Sequence, residues 1–317
     1  MAKTDELATG PLQPRKELIS REYHYYMLPK APYLKPVGVL IVLHSCRRSG
    51  LEFFHLPEDR IIAQDALEKG LAVFSLTSQD RASGCFTKKD LSWASRVVDE
   101  WTMLHMLDKL PRFGLAASSG ASFLFFIYNQ LKLTSMAVYN TPQSFLPNDF
   151  KEESMIPTAY VTMPLDKPMN RQIRKNYEEL VHAGIASQLF RVSRRPFTRA
   201  LCETRVPELD SKECNKIFDT LEKDHSKLLD KDGFIAQDWT SGQWQGLFSA
   251  LELDSKTKNL PYLTPQASSG HSWIWEAMGQ EVRTCQAYHG MTSEHHSSIL
   301  DFLLAQVQPP VGTPPGD

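Results

Sequence analysis

The chain has 317 residues, 42% of them apolar and 23% charged, which supplies enough core for one large domain with an insertion, or for two domains, and excludes an intrinsically disordered chain. Lys and Arg number 35 against 37 Asp and Glu, a formal charge of -2, so there is no global field for capturing nucleic acid or an acidic membrane surface. Five scattered cysteines (Cys46, Cys85, Cys202, Cys214 and Cys285) have no CxxC spacing and read as thiols of a reducing compartment, not as a disulfide framework or a zinc site.

Residues 1–20 are polar, hold Pro11 and Pro14, lack the apolar core of a secretory signal, and are expected to form a flexible arm. The unbroken, β-branched run 37–43 has the character of a strand buried on both faces. A helix is expected over 58–69, ending at Gly70, and a strand over 71–76. Asp90 can cap a helix over 91–110 that Pro111 stops. Then come a strand at 112–117, an apolar helix at 121–131, strands at 135–139 and 158–163, a helix at 171–183 closed by Gly184, and a strand at 187–192. This alternation predicts an α/β fold with a doubly wound, mostly parallel sheet over residues 21–195.

After Arg195 the rhythm breaks. Residues 196–279 show helical patterns at 211–224 and 239–253 and hold four of the six tryptophans, so they are expected to be a helical insertion, or cap, placed between the last two strands. The core should resume over 280–307 with a final strand at 281–288 and a helix at 294–306, and the Pro- and Gly-rich tail 308–317 should be disordered. The longest apolar runs, 37–43 and 123–128, are too short to span a bilayer, so a soluble, cytoplasmic protein without a transmembrane segment is expected.

The segment with the most chemical content is Arg112-Phe113-Gly114-Leu115-Ala116-Ala117-Ser118-Ser119-Gly120. A strand enters a helix through small-x-Ser-x-Gly, the tight turn that lifts a serine above a sheet and sets it at a helix N-terminus. Ser118 is thus the candidate nucleophile, although a Ser-Ser-Gly turn with an N-cap serine fits the same letters. His44-Ser45-Cys46-Arg47-Arg48-Ser49-Gly50 follows the first buried strand, where acyl-transfer sites take one oxyanion N–H. The backbones of Ser119 and Cys46, or of Ser45, are the candidate donors. Asp166, just past the strand at 158–163, can orient a histidine or simply cap the next helix. In Tyr288-His289-Gly290-Met291-Thr292-Ser293-Glu294-His295-His296, His289 is the preferred general base, with His295 in reserve and His296 facing solvent. The chain order Ser118, Asp166, His289 is that of nucleophile-elbow hydrolases.

The runs GVLIVLHSCRRSGLEF at 38–53, LPED at 56–59, SQDR at 78–81, the elbow, TAYVTMPLDKP and HGMTSEHH together resemble a little-characterised eukaryotic branch of the α/β-hydrolase superfamily, which reads HGC…SG after its first long strand. Two positions depart from that pattern: Ser45 stands for a Gly, and Ala116 for the first Gly of the elbow. The resemblance implies a serine hydrolase of the esterase, lipase, thioesterase or peptidase kind, acting on a small-molecule, apolar or acyl substrate without a cofactor or metal. A non-catalytic binding or scaffolding protein on the same fold is the alternative. Asp230-Lys231-Asp232-Gly233 mimics part of a calcium loop, but Leu228 and Trp239 would occupy its first and twelfth ligand positions, so no calcium site is expected.

Overall fold

Three strands that the chain writes as continuous apolar runs lie at the centre of one sheet. In the computed structural model, which describes residues 12–30, 32, 33, 35–143, 155–206, 208–224, 227–238, 243, 244, 246, 247, 251 and 273–307, these are β3 (Gly38–Leu43), β4 (Leu71–Leu76) and β5 (Arg112–Ala117). Every residue in them is buried, as both-face coverage requires. β1 (Arg15–Ile19), β2 (Glu22–Met27), β6 (Leu133–Tyr139), β7 (Thr158–Thr162) and β8 (Ser187–Arg191) complete a sheet of order β1-β2-β4-β3-β5-β6-β7-β8. β2 runs antiparallel to β1 and β4, and the pairings from β4 through β8 are all parallel. This strand order, with its reversed second strand, is the α/β-hydrolase fold.

Helices cover both faces. α3 (Leu91–Leu104), α4 (Ser119–Ile127) and α5 (Lys167–His182) bury Trp93, Trp101, Phe123, Leu124 and Ile173 on one side. The short α1 (Glu52–His55), α2 (Pro57–Glu68) and the closing α9 (His296–Ala305) bury Phe53, Phe54, Ile62, Ile299 and Leu303 on the other. A third apolar cluster, built on Phe197, Ile217, Phe218, Trp244, Trp273 and Met278, belongs to the insertion. It includes α6 (Arg199–Arg205), α7 (Ser211–Asp224) and α8 (Trp273–Gln286). Among the described residues no helix is long and apolar enough to cross a membrane.

Four expectations are corrected. Residues 15–19 of the expected arm form β1, an edge strand hairpinned to β2 through Ser20 and Arg21, both at positive φ (52° and 72°). That two-residue turn has the left-handed backbone of a tight hairpin without the Asn-Gly letters that announce one. The segment expected as a last strand over 281–288 is helical to Gln286, so the insertion follows the last strand, β8, and is not enclosed by two strands. A boundary at 279/280 would cut α8, one continuous helix, in two. Finally, Cys46 is bonded to Cys85 and Cys202 to Cys214, which leaves Cys285 as the buried free thiol. Disulfides persist in oxidising surroundings, so the cytoplasmic expectation loses the thiols on which it rested. The expected tail, residues 1–11 of the arm, and most of the helix at 239–253 lie outside the described residues.

Candidate active site

β5 passes into α4 through Ser118, whose backbone sits at φ 52° and ψ -119°, a region that side-chain-bearing residues rarely occupy. The turn is held from three sides. Ser118 N–H donates to the Tyr139 carbonyl (3.3 Å), and its own carbonyl accepts from Ser122 N–H (2.9 Å) and the Thr141 hydroxyl (3.1 Å). Strand and helix approach so closely that a Cβ on Gly120 would lie 2.4 Å from the Leu43 carbonyl oxygen and 2.6 Å from that of His44. Glycine is obligatory there. At the other small position the methyl of Ala116 is accommodated, fully buried, so the departure at that residue leaves the turn intact.

Asp166 occupies the N-cap of α5, four residues beyond β7, but its side chain makes no capping bond. The carboxylate instead accepts from His289 Nδ1 at 2.7 Å. His289 Nε2 lies 3.0 Å from Ser118 Oγ. With the proton held on Nδ1 and donated to Asp166, Nε2 is the bare acceptor for the serine hydroxyl. The imidazole is held through its loop. Asn140, at the end of β6 and at φ 54°, donates from Nδ2 to the Gly290 carbonyl (2.5 Å), and Leu165 N–H donates to the Ala287 carbonyl (3.2 Å). The other two histidines of the motif go elsewhere. His295 Nε2 faces the Arg191 carbonyl (3.2 Å), and His296 Nδ1 faces that of Ser293 (2.6 Å). The structure therefore brings Ser118, His289 and Asp166 together and leaves His295 out.

The loop after β3 forms the opposite wall, and its shape depends on groups that sequence alone does not single out. His44 Nδ1 donates to the Ser45 carbonyl (2.8 Å) while Nε2 accepts from Ser78 N–H (3.1 Å), an arrangement that requires a neutral ring. Burial pushes its pKa down to about 4, so it stays neutral. Arg47 N–H donates to the Ser83 carbonyl (2.9 Å), Gly84 packs on the Arg47 backbone, and the Cys46–Cys85 bond closes the pair of loops. Ser45 and Cys46 reach the same cavity as Ser118, and Ser119 opens α4 directly behind the serine. Asp230 accepts from the N–H groups of Asp232 and Phe234, a self-satisfied turn, and among the described residues no cluster of three metal-ligating side chains forms.

The cavity over Ser118 has a volume of about 550 Å³, within the ordinary range for a small-molecule site. α8 contributes Trp275, Glu276, Gln280 and Arg283 to its wall. No protein-family model and no curated protein matches this sequence. Among solved structures the chain is similar to the acylaminoacyl peptidase of Pyrococcus horikoshii (TM-score 0.46, 10% identity, over 67% of this chain and 42% of that one). It is similar also to a dienelactone hydrolase from Anabaena variabilis (TM-score 0.42, 16% identity, 63% and 97%). A bacterial heroin esterase is a third (TM-score 0.41, 12% identity, 59% and 76%).

Proposed function

We propose that the protein is a serine hydrolase cleaving an ester or thioester of a small acyl substrate. The observation that supports this is the continuous chain from Ser118 Oγ through His289 to Asp166, 3.0 Å and 2.7 Å, at the floor of a cavity. Ser118 Oγ attacks the carbonyl carbon and passes its proton to His289 Nε2, while Asp166 stabilises the imidazolium. The negative oxygen of the tetrahedral intermediate is met by the N–H of Ser119, at the positive end of α4, and by that of Cys46, with Ser45 as the neighbouring donor. Collapse breaks the bond to the alcohol or thiol, which leaves with the proton from His289. Water, deprotonated by the same ring, then releases the acid and restores the serine. The insertion, through α8, forms one wall of the cavity.

A fluorophosphonate probe tests the nucleophile. Wild-type protein is expected to be labelled at Ser118, and Ser118→Ala to escape labelling while melting normally. A folded wild type that stays unlabelled, or equal labelling of the variant, would overturn the assignment.

The disulfide at the oxyanion loop carries a second prediction. Cys46–Cys85 closes 39 residues, for which chain entropy allows a stabilisation of about 4 kcal/mol. Cys85→Ser is expected to lower the melting temperature and to reduce kcat for an aryl ester by roughly tenfold, because the Cys46 N–H is no longer held in place. Calorimetry and steady-state kinetics on one preparation check both. Unchanged kcat would show that this loop does not supply the donor.

A further inference from the structure

The wall of the cavity is more cationic than the even charge balance of the chain leads one to expect. Arg47, Arg48 and Arg283 line it, together with Trp275, Tyr288 and one carboxylate, that of Glu276. Two of the three guanidiniums are accounted for. Arg48 stands 3.6 Å from Asp59, which also accepts from Gln280 Nε2, and Arg47 is an exposed residue in reach of water.

Arg283 differs. It shares one face of α8 with Glu276 and Gln280, at the spacings that align side chains along a helix, and it is half-buried. Among the described residues its guanidinium makes no hydrogen bond and no ion pair, while its carbonyl accepts from Tyr288 N–H (3.0 Å). Burial, and then the charge of Arg48, push its pKa down to about 10, against the longer-range pull of Glu276, Asp238 and Asp59. It is still a full cation at neutral pH. Its guanidinium opens on the cavity without a side-chain acceptor among the described residues, and the group that best satisfies such a fork is a planar or tetrahedral oxyanion.

We propose that Arg283 is a specificity-determining residue that binds a negatively charged group on the substrate, so that the enzyme acts on small esters or thioesters bearing a carboxylate or phosphate besides the scissile carbonyl. This rests on the hydrolase reading of Ser118. A cavity of 550 Å³ corresponds to a sphere roughly 10 Å across, so the anion and the carbonyl stand only a few bonds apart in the substrate. Arg47 adds charge to the same wall, and Trp275 and Tyr288 supply the apolar surface for the chain between the two groups.

Kinetics with two aryl esters of equal chain length, p-nitrophenyl butyrate and p-nitrophenyl hydrogen succinate, test this, with rates corrected for spontaneous hydrolysis. Wild type is expected to favour the anionic ester in kcat/KM by about tenfold or more, mainly through KM, with the preference shrinking as salt is added. Arg283→Met should reduce that ratio by at least about tenfold, and Arg283→Lys, which keeps the charge in case the first variant folds poorly, should retain part of it. A wild-type ratio near one, or a ratio that Arg283→Met leaves in place, overturns the proposal. If neither ester is turned over, the hydrolase reading falls by itself and calorimetry decides the anion site. Heat on adding succinate or inorganic phosphate, absent in Arg283→Met and present in Arg283→Lys, sustains it. No heat from either anion with wild type overturns it.

Discussion

His289→Ala is expected to lower kcat/KM for an aryl ester by roughly 10³- to 10⁴-fold, and His295→Ala to change it less than about twofold. On sequence grounds His289 is preferred at the end of an expected strand and His295 is the reserve, since both lie in one histidine-rich loop. Their surroundings separate them. His289 has one nitrogen on a buried carboxylate and the other within 3.0 Å of the serine hydroxyl, so its loss removes both proton acceptor and proton donor from the cycle. His295 initiates α9 at φ 67° with its ring against Phe190 and its Nε2 on the Arg191 carbonyl, where no reacting atom is present. Asp166→Asn should fall near His289→Ala, because an amide at that place donates toward Nδ1 and favours the tautomer that cannot accept the serine proton. Single-turnover measurements with each purified variant, alongside its melting temperature, check the series. Loss of activity in His295→Ala with His289→Ala still active would reverse the assignment of the base.

Much of this architecture is legible because burial on two faces writes unmistakable letters. The runs at 37–43, 71–76 and 112–117 match β3, β4 and β5 to within one residue, and the elbow can be read from the demand for small residues around Ser118. What escapes is what local pattern does not encode. β1 opens with three charged residues in a row at a sheet edge and buries only Ile19, and its turn is a Ser-Arg pair with no turn composition. α8 defeats the helical period because the face it buries carries the polar Gln280, Glu281 and Thr284, the first two meeting partners on distant segments, Glu58 and Asp59 for Gln280 and Arg195 for Glu281. Alternating polar and apolar letters over 281–288 then imitate a strand. The disulfides join cysteines 39 and 12 residues apart with no motif, and the role of Arg283 depends on which counter-ions fail to reach it. The positive φ of Asn140 had a faint signal, an Asn directly after a strand, but its bond to the loop of His289 spans 150 residues.

Glu58→Gln is expected to destabilise the fold by about 3–5 kcal/mol at pH 7, a fall of roughly 10 °C in melting temperature. Glu58 lies in the first turn of α2, completely buried, and its carboxylate accepts from the Thr292 hydroxyl (3.1 Å), from the Ser293 hydroxyl (2.8 Å) and from Ser293 N–H, three groups that end the loop of His289. Arg195 Nη2 stands 2.9 Å away and Arg205 Nη1 3.8 Å away. Burial alone would raise this carboxyl, but Arg205, Arg195 and the bonds from Ser293 outweigh it and hold the pKa at about 2. The folded pKa is thus below the unfolded one, so the stabilisation is complete above about pH 4.5 and is lost as pH falls from there toward 2. Wild type should therefore lose stability steeply across that window, and Glu58→Gln should show a flatter profile. Glu281 faces the same Arg195 at 3.5 Å, and burial together with the charge of Glu58 pushes its pKa well up, so its charged form is disfavoured beside an ionised neighbour. Removing the charge of Glu58 lets Glu281 ionise and take over part of the pairing with Arg195. The double variant with Glu281→Gln should for that reason cost more than the two single changes added together, by about 1 kcal/mol or more. Urea titrations at pH 7 and pH 3.5 on the four proteins measure the coupling, and strict additivity with parallel pH profiles would sink the claim that these two carboxyls share one pair of arginines.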